Sequence, residues 1–429
     1  MSSPQTRVLV IGYVWPEPTS SAAGGHMMQI IEAFLGQGWA VTFSSPAAAS
    51  EHTADLDALG IERCAITLND SSFDRFVEAL QPDIVLFDRF MMEEQFGWRV
   101  EKHCPNALRL LETSDFASLR DARQQLLKAH LKTAAQPDDC APLFAVQGQA
   151  LYPHMAQADM TLREIAAIYR CDLSLMISEV EIQLLTEVFG VPANLLLWCP
   201  LMLDAPSETL PSFDEREHFL SIGNFRHAPN WDAVLWMKNS LWPLIRARLP
   251  GAQLHVYGAY TPPKATALHN PAQGFLVLDR ADDALRVMRQ ARVALAPLRF
   301  GAGIKGKLAD AMLCGTPSVT TPVGSEGMQG SLPWPGAVAS DAAGLADAAV
   351  ALYQDRHAWD RAQRQALALL AERYAGERHA LALVNRVTAL AATLATHRLG
   401  NFTGTLLRHH HHKSTQYMAQ WIEAKNRLQ

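Results

Sequence analysis

A loop rich in glycine and lysine lies between a predicted buried strand, residues 292–298, and a predicted helix, residues 307–314. Three glycines let the backbone of this loop approach a ligand closely: Gly301, Gly303 and Gly306. Lys305 and Lys307 add positive charge at the same place. The amino terminus of a helix attracts anions through its unpaired N–H groups and its dipole. This combination predicts a phosphate-binding site.

The same glycines match the spacing G-x-G-x-x-G, and Glu326 follows Gly306 by twenty residues, as in a dinucleotide-binding fingerprint. That fingerprint belongs to the first strand of its domain. Here three predicted strands precede the loop in the same half of the chain, at residues 219–222, 253–257 and 275–278. The position of the loop therefore argues against a nicotinamide cofactor.

A second glycine-rich turn follows the first predicted strand, residues 7–11, and ends in Gly24, Gly25 and His26. The amino half thus repeats the arrangement of the carboxyl half, a glycine loop at the start of a helix, here predicted over residues 26–37. These three residues are candidate ligand contacts. The alternatives are an ordinary glycine turn and a surface or capping histidine.

Asp88 and Arg89 follow a predicted buried strand at residues 83–87. Open α/β sheets bind their ligands at the carboxyl ends of the strands, so this pair is a candidate binding site. Alternatively, the two residues cap the next helix and form an ion pair with each other.

Strands and helices alternate along both halves of the chain, which is typical of doubly wound parallel sheets. The segment at residues 205–215 is polar and carries two prolines, as an interdomain linker would. We therefore predict an α/β protein with two Rossmann-like domains. The predicted boundaries are an amino-terminal domain at residues 1–205, a linker at 206–216, a carboxyl-terminal domain at 217–395 and a helical tail at 396–429.

The composition limits the class of partner. The chain of 429 residues has a net charge of −6 and a pI near 6.2, which argues against a general nucleic-acid-binding protein. Its six cysteines contain no C-x-x-C pair, so neither a zinc site nor a disulfide framework is predicted. We expect reduced thiols in a cytoplasmic protein.

No membrane-targeting segment is expected either. Met1 leads almost directly into the first predicted strand, without the charged and apolar regions of a secretory leader. No apolar stretch approaches the ~20 residues that a bilayer-spanning helix needs. Any contact with the inner face of a membrane would therefore be peripheral.

Several segments, in order, resemble the nucleotide-sugar-dependent glycosyltransferases of the GT-B type, specifically the large retaining group called family 4. Residues 219–233 resemble the strand and loop that open the family's second domain, residues 241–258 the helix and strand that follow, and residues 301–328 its donor-binding core. The resemblance covers most of the chain. It implies two Rossmann-like domains, with a carboxyl-terminal helix that crosses back to the first domain.

The resemblance also implies an activity, that of a hexosyltransferase of polysaccharide biosynthesis. The carboxyl domain would bind a nucleotide-sugar donor, and the amino domain would bind a saccharide, lipid-linked or protein acceptor. Closure of the hinge would bring the two together. No cofactor and no metal ion are implied.

The same resemblance also implies functions for individual residues. It implies donor contacts from both glycine loops and from the loop after residue 222: Gly24, Gly25, His26, Asn224, His227, Asn230, Gly301, Gly303 and Lys307. The leaving diphosphate can itself accept the acceptor's proton, so preorganised cations must stabilise the charge that grows on it. Arg226 and Lys305 are implied to do this, while Asp88 and Arg89 would lie on the acceptor side. Alternatively, Arg226 is a solvated loop charge, and His227 and Asn230 merely order the loop.

The chain departs from the family at an acidic pair with the spacing E-x7-E, whose members contact the donor. Asp310 occupies the second position and can still accept hydrogen bonds from the ribose hydroxyls. Ala302 occupies the first position and offers nothing to a sugar. Lys305, by gripping phosphate, is then expected to replace the lost contact.

A second departure concerns the loop after the predicted strand at residues 108–112. Many retaining relatives have a histidine there, whereas residues 112–120 contain none. Asp115 is the nearest polar substitute, although it is alternatively a helix cap. Either catalysis proceeds without that histidine or the site is impaired. The alternative function is therefore a catalytically silent GT-B protein that binds a nucleotide sugar or a partner.

The tail contains the run His409–His412, followed by a segment with helical character. Four consecutive histidines on a helix cannot all face one ion, so we predict no metal site there. Further along, Tyr417 or Met418 shares a helical face with Trp421 and Ile422. This face predicts either packing on the amino domain or contact with a membrane surface. Its short length favours packing.

Overall fold

The computed structural model of the protein describes residues 5–206 and 208–428, without the side chains of residues 410–412. Residues 1–4 and residue 207 of the predicted linker lie outside the described part. The histidines at 410–412 belong to a helix, and their predicted lack of a metal role stays a prediction.

The amino half contains a parallel sheet of seven strands. These are β1 (Arg7–Ile11), β2 (Ala40–Ser45), β3 (Glu62–Ala65), β4 (Ile84–Asp88), β5 (Leu108–Glu112), β6 (Leu173–Met176) and β7 (Leu196–Trp198). Their spatial order is β3-β2-β1-β4-β5-β6-β7. Strands β1, β4 and β5 are buried on both faces, which explains their near-continuous apolar sequences. The order reverses between β1 and β4, the point at which such sheets bind ligands.

The carboxyl half contains a second parallel sheet, of six strands. These are β8 (Glu217–Ile222), β9 (Leu254–Tyr257), β10 (Phe275–Val277), β11 (Ala291–Ala296), β12 (Ser318–Thr320) and β13 (Gly336–Val338). Their spatial order is β10-β9-β8-β11-β12-β13, which reverses between β8 and β11. The short strand β13 was not predicted, because its sequence Gly-Ala-Val begins with glycine and contains only one β-branched residue.

Helices flank both sheets. In the amino half they are α1 (Ala22–Leu35), α2 (Ser72–Leu80), α3 (Phe90–His103), α4 (Ala117–Thr133), α5 (Ala141–Phe144), α6 (Tyr152–Met155), α7 (Asp159–Arg170) and α8 (Glu179–Gln183). In the carboxyl half they are α9 (Ala228–Trp236), α10 (Trp242–Arg248), α11 (Pro263–Thr266), α12 (Ala284–Gln290), α13 (Gly306–Leu313), α14 (Pro322–Ser325), α15 (Ala342–Gln354) and α16 (Arg356–Arg373). The chain ends in α17 (Gly376–Ala392), α18 (Leu394–Gly400) and α19 (Phe402–Arg427).

The final helices return to the amino half, as expected for the fold. Leu383, Val384, Val387 and Leu390 of α17 share a helical face and belong to the buried cluster around β1 and α1. Helix α19 then lies across α3 and α7. The return therefore begins at α17, in residues that the sequence analysis placed in the carboxyl domain. The predicted packing of Tyr417, Met418 and Trp421 is wrong, because these side chains are exposed and the opposite side of the helix is buried.

A segment of the amino half also reaches into the carboxyl half. Residues 134–147, which we call the arm, connect α4 to the region before α6. Cys140 and Phe144 of the arm are buried in one cluster with Phe219 and Trp236 of the carboxyl half. The indole nitrogen of Trp236 donates to the Asp138 carboxylate at 2.8 Å. Nothing in the sequence analysis predicted this exchange.

Helix α1 begins at Ala22, four residues before the predicted start. The side chain of Ser21 caps it by accepting a hydrogen bond from the Gly24 N–H at 3.1 Å. Gly24, Gly25 and His26 therefore lie within the first two turns of the helix, and not in the loop before it.

Candidate active site

Loops that follow the strands of the two sheets contact each other across a cleft. The Tyr260 hydroxyl donates to Glu17 at 3.2 Å, and Arg280 donates to the Thr19 hydroxyl at 3.1 Å. The amino ends of α1 and α13 meet here, where Gly306 packs so closely on Ala22 that no β-carbon would fit. Two helix amino termini thus converge, which favours the binding of an anion between the halves.

The glycine loop after β11 is held in place from the amino half. The Gly303 N–H donates to Glu181 at 2.7 Å, and the same oxygen of Glu181 accepts from the Phe116 N–H at 2.9 Å. Gly303 has a φ of 62°, and a β-carbon there would lie 2.8 Å from the β-carbon of Asp115. Glycine is therefore required at position 303, both by the backbone conformation and by the opposing wall of the cleft.

Arg123 of α4 ties the same loop to Glu326, which directly follows α14. One of its terminal nitrogens donates to the Gly301 carbonyl at 2.9 Å, and both donate to the Glu326 carboxylate at 2.7 Å. The two side chains are largely buried, with 8% of Arg123 and 13% of Glu326 exposed. A buried bidentate pair of this kind fixes geometry strongly. The loop is thus bound to the amino half by both Arg123 and Glu181.

Lys305 lies inside this arrangement. Its ammonium donates to the Gly303 carbonyl at 2.8 Å, and its side chain is buried. Burial lowers the pKa of Lys305 to about 8, against the opposing effect of Glu326. Lys305 therefore shapes the glycine loop from within while carrying a charge that a bound anion would stabilise.

Lys307 connects α13 to the loop after β8. Its ammonium donates to the Asn230 side chain at 2.7 Å, and the Asn230 amide donates to the Asn224 carbonyl at 2.9 Å. Burial in the cleft wall lowers the pKa of Lys307 to about 8 and raises the pKa of Asp310 to about 7. Asn224 and Asn230 thus order their loop, and Asn230 additionally positions a cation.

Arg226 lies at the rim of the cleft. The Arg226 guanidinium lies 3.7 Å from the centre of the Tyr260 ring. The backbone N–H of Arg226 donates to the Asn224 side-chain oxygen at 2.8 Å. Tyr260 itself has a φ of 58°, unusual for a residue other than glycine. The exposed Arg226 is therefore held by stacking, although the sequence left open a freely solvated charge.

The pKa of His227 reflects the positive charge of the cleft. His227 itself is exposed, but the surrounding cleft walls, and after them the charges of Arg120, Lys307, Arg89 and Lys305, lower the pKa of His227 to about 3. Two of these cations belong to the amino half and two to the carboxyl half. His227 is consequently neutral, in a region whose positive charge converges from both sides.

Asp88 and Arg89 form the ion pair that the sequence left open, with the Arg89 Nε 3.6 Å from Asp88. Asp88 also accepts a hydrogen bond from the Tyr13 N–H at 3.0 Å. Burial raises the pKa of Asp88 to about 6, against the opposing effect of Arg89. Arg89 has a φ of 70° and begins α3 without a side-chain capping bond. Such backbone strain is often concentrated at functional sites.

His26 lies beneath the cleft, with 1% of its surface exposed. Its ring nitrogens lie 3.4 Å from the Glu112 carboxylate and 3.8 Å from the Cys199 sulfur. Burial by itself would lower the pKa of His26, but Cys199 and Glu112 raise it to about 10. The predicted direct contact with a donor is therefore not available to this ring, because helix α1 starts early enough to turn it inward. His26 instead supports Glu112, which accepts two hydrogen bonds from Ser114.

Asp115 faces the glycine loop and forms an ion pair with Arg120. It does not cap α4. The N–H groups of Ala117 and Ser118 at the start of that helix donate to Glu164, each at 2.8 Å. Asp115 is thus left at the cleft wall, close to the predicted position.

Comparison with known proteins gives a family match and a fold. Residues 216–355 match the sequence profile of the glycosyl transferases group 1. Residues 216–355 are therefore similar to a glycosyltransferase domain, and the chain has the two-domain GT-B fold.

Solved structures of known proteins share that fold. Sucrose-phosphate synthase from Thermosynechococcus elongatus is 16% identical, with a TM-score of 0.62 and coverage of 91% of this chain and 100% of that one. HepE from Anabaena, in complex with UDP and glucose, is 11% identical, with a TM-score of 0.63 and coverage of 90% and 100%. WaaG, a glycosyltransferase involved in lipopolysaccharide biosynthesis, is 12% identical, with a TM-score of 0.55 and coverage of 87% and 98%. A search of curated proteins gives no match.

The structure brings most of the predicted site residues to one cleft, with His26 lying beneath it. Sequence reasoning missed the residues that connect its two walls: Glu17, Thr19, Arg123, Glu181, Tyr260, Arg280 and Glu326. Most of them follow a predicted strand, and that position was the available signal for them. Their partners are distant in the chain, as with Arg123 and Glu326, which are 203 residues apart.

Gly24 and Gly25 differ in the space around their α-carbons. A β-carbon at Gly24 would lie 2.6 Å from the Glu17 carbonyl, whereas the nearest atom to one at Gly25 would be 3.9 Å away. Gly24 is therefore needed for the local packing of its loop.

No group of three or more histidine, cysteine or acidic residues in the described part of the chain is arranged to hold a metal ion.

Proposed function

We propose that the protein transfers a sugar from a nucleotide-diphosphate sugar to a saccharide, lipid-linked or protein acceptor, with retention of configuration and without a metal ion. The observation that carries the proposal is the meeting of the amino ends of α1 and α13 at Gly306, beside the ammonium groups of Lys305 and Lys307. Such a site suits a diphosphate. The binding of UDP by HepE, which shares the fold, supports a nucleotide sugar as the donor.

We infer that the carboxyl wall binds the donor. Arg226 and Lys307 would contact the diphosphate, and the amino end of α13 would add its N–H groups. Asp310, half-buried beside Lys307, would accept hydrogen bonds from the ribose hydroxyls when ionised. Lys305 would act partly through the glycine loop, because its ammonium already holds the Gly303 carbonyl.

Asp88, Arg89 and Asp115 would line the acceptor side. During transfer the bond between the anomeric carbon and the diphosphate oxygen breaks, and a bond to the acceptor oxygen forms on the same face. The proton of the acceptor hydroxyl passes to the leaving diphosphate. Because negative charge grows on that group, fixed cations stabilise the transition state more than the bound donor.

The chemistry of the thiols supports a cytoplasmic reaction. All six cysteines are unpaired, and five of them are buried. Free thiols are typical of the reducing compartments in which disulfides are rare.

A second candidate function is that of a silent nucleotide-sugar-binding protein. Ala302 stands where the family has an acidic residue, and no histidine follows β5. In addition, the Gly303 N–H and the Lys305 ammonium are bonded within the protein. These observations favour binding without turnover.

The test is a thermal-shift titration with UDP-, GDP-, ADP- and TDP-sugars, followed by an assay for release of the nucleoside diphosphate. We expect one nucleotide class to raise the melting temperature by mass action. Lys305→Ala should abolish that shift, whereas Lys132→Ala, which changes an exposed lysine on α4, should not. A shift without any release of nucleoside diphosphate would favour the silent protein. The absence of a shift with every nucleotide would refute both functions.

A further inference from the structure

Helix α19 has a packed inner face. Asn401, Gly404, Arg408 and Ala419 are buried against the amino half. The Asn401 amide donates to the Tyr169 carbonyl at 2.8 Å, and Arg408 lies 3.2 Å from the carboxylate of Glu101. One side of the helix is thereby fixed to α3 and α7.

The opposite side, which we call the outer face of α19, is unusually apolar for an exposed surface. It contains Phe402, Leu406, Lys413, Tyr417 and Trp421, which are spaced so that they share about a third of the helix circumference. Phe402 is 75% exposed, Tyr417 65% and Trp421 60%. Of the twenty large apolar side chains exposed in the described part of the chain, seven lie in residues 394–428. Apolar surface concentrated in this way marks an interaction site.

An apolar groove adjoins this face. It has a volume of about 290 Å³ and is lined by side chains of α6, α7 and α19, among them Tyr152, Leu162, Ile165 and Leu407. Leu162 is itself 57% exposed. The groove therefore extends the apolar surface from α19 onto the amino half.

The charge of the segment indicates the chemistry of its partner. Residues 394–429 contain five lysines and arginines and one glutamate, although the whole chain carries a net charge of −6. Arg398 and Arg408 are paired with Asp172 and Glu101 of the amino half, which leaves Lys413, Lys425 and Arg427 on the outside. Lys413 and Lys425 are exposed beside the aromatic residues, and the Lys425 ammonium lies 5.4 Å from the Trp421 ring. An acidic protein thus concentrates positive charge and aromatic surface on one helix. This combination is typical of helices that lie in the interface of an anionic bilayer.

We propose that the outer face of α19 and the adjoining groove bind the surface of an anionic membrane. Aromatic and apolar side chains would enter the headgroup region, while Lys413 and Lys425 would contact lipid phosphates. No helix in the described part of the chain is long and apolar enough to cross a bilayer, so this contact lies in the plane of the interface. A second copy of the chain fits this face less well, because a symmetric pairing would bring its lysines together.

Co-sedimentation with vesicles tests the proposal independently of sugar transfer. The full-length protein is mixed with vesicles of phosphatidylcholine and phosphatidylglycerol (about 7:3) or of phosphatidylcholine alone, at low and high salt. We expect partitioning to the anionic vesicles that falls with salt, because exposed charges are screened. Lys413→Glu/Lys425→Glu and Tyr417→Ser/Trp421→Ser should each reduce the partition coefficient about tenfold or more.

The matched control is Arg364→Glu/Leu367→Ser on α16, which changes an exposed cation and an exposed leucine. This control should bind anionic vesicles as the unchanged protein does. Equal binding to neutral vesicles, or an equal loss in the α16 control, would overturn the proposal. So would the absence of vesicle binding together with a concentration-dependent dimer that Tyr417→Ser/Trp421→Ser dissociates in light scattering. Nucleoside diphosphate release in solution, measured in parallel, is expected to be unaffected in all these variants.

Discussion

Gly306 and Ala22 form a close contact between the two halves of the chain. Adding one methyl group at Gly306 tests whether activity depends on this contact. Gly306 begins α13, and a β-carbon at this position would overlap the methyl group of Ala22 at the start of α1. Carbon atoms in contact lie roughly 3.5–4.0 Å apart, so Gly306→Ala should force the helix ends apart by more than ~1 Å. The backbone at Gly306 is outside the left-handed region and accepts alanine without strain.

A misplacement of ~1 Å can reduce a catalytic rate about 100-fold, or ~2.7 kcal/mol of transition-state stabilisation. We therefore expect Gly306→Ala to lower kcat for nucleoside diphosphate release by about this factor. The melting temperature should not fall, because alanine favours a helix over glycine by up to ~1 kcal/mol. The measurement uses the donor that the thermal-shift titration identifies.

Two further variants separate this steric effect from others. Ala22→Gly removes the opposing methyl group, so Ala22→Gly/Gly306→Ala should regain most of the activity. Gly301→Ala adds the same methyl group to the same loop, but its nearest neighbours, in Lys305 and Val323, lie 3.6 Å away. We expect the halves to remain in contact in that variant, as measured by small-angle scattering. Full activity in Gly306→Ala, or no recovery in the double variant, would refute the reasoning.

Three other predictions concern charges. Arg123→Ala should destabilise the protein by ~3 kcal/mol in urea unfolding, because it leaves the buried Glu326 unpaired, and Arg123→Ala/Glu326→Ala should be less destabilised than the sum of the single variants; additive losses would contradict the pairing. Nucleotide affinity in calorimetry should fall as the pH rises above about 8, where Lys305 loses its proton in the free protein, and Lys305→Arg should retain affinity at higher pH; an unchanged pH profile would count against a role for that charge. The free energy of unfolding should decline between pH 6.5 and about 10, because the folded protein keeps the His26 proton that the unfolded chain has lost, and His26→Gln should flatten this slope; a slope of the opposite sign would contradict the arrangement with Glu112.

The sheets were predictable from local sequence because each central strand is an apolar run bounded by turns. Strands β1 and β5 begin and end at the predicted residues. The position of His26 was not predictable in the same way, because a residue that precedes a helix can face the cleft, whereas a residue in the second turn has a direction fixed by the helix and here points into the core. The capping oxygen of Ser21 was the available signal for the earlier start of α1.

The cross-links of the cleft depend on contacts that local sequence does not encode. Glu181 and Gly303 are 122 residues apart, and neither has a neighbour whose type indicates the other. A glutamate in the first turn of a short helix is ordinary in itself. The glycine loop was therefore predicted as a phosphate site from its composition, while the residues that hold its shape emerged only with the fold.

The exchange of segments between the halves has a consequence for how the chain can be divided. The arm places Cys140 and Phe144 in the interior of the carboxyl half, and α17 places Leu383 and Val387 in the interior of the amino half. A fragment that ends at residue 205 would lack the second pair, and a fragment that starts at residue 217 would lack the first. Each would expose apolar surface that the intact chain covers. The protein is therefore expected to melt in one cooperative transition, and its halves to regain their structure only when they are expressed together.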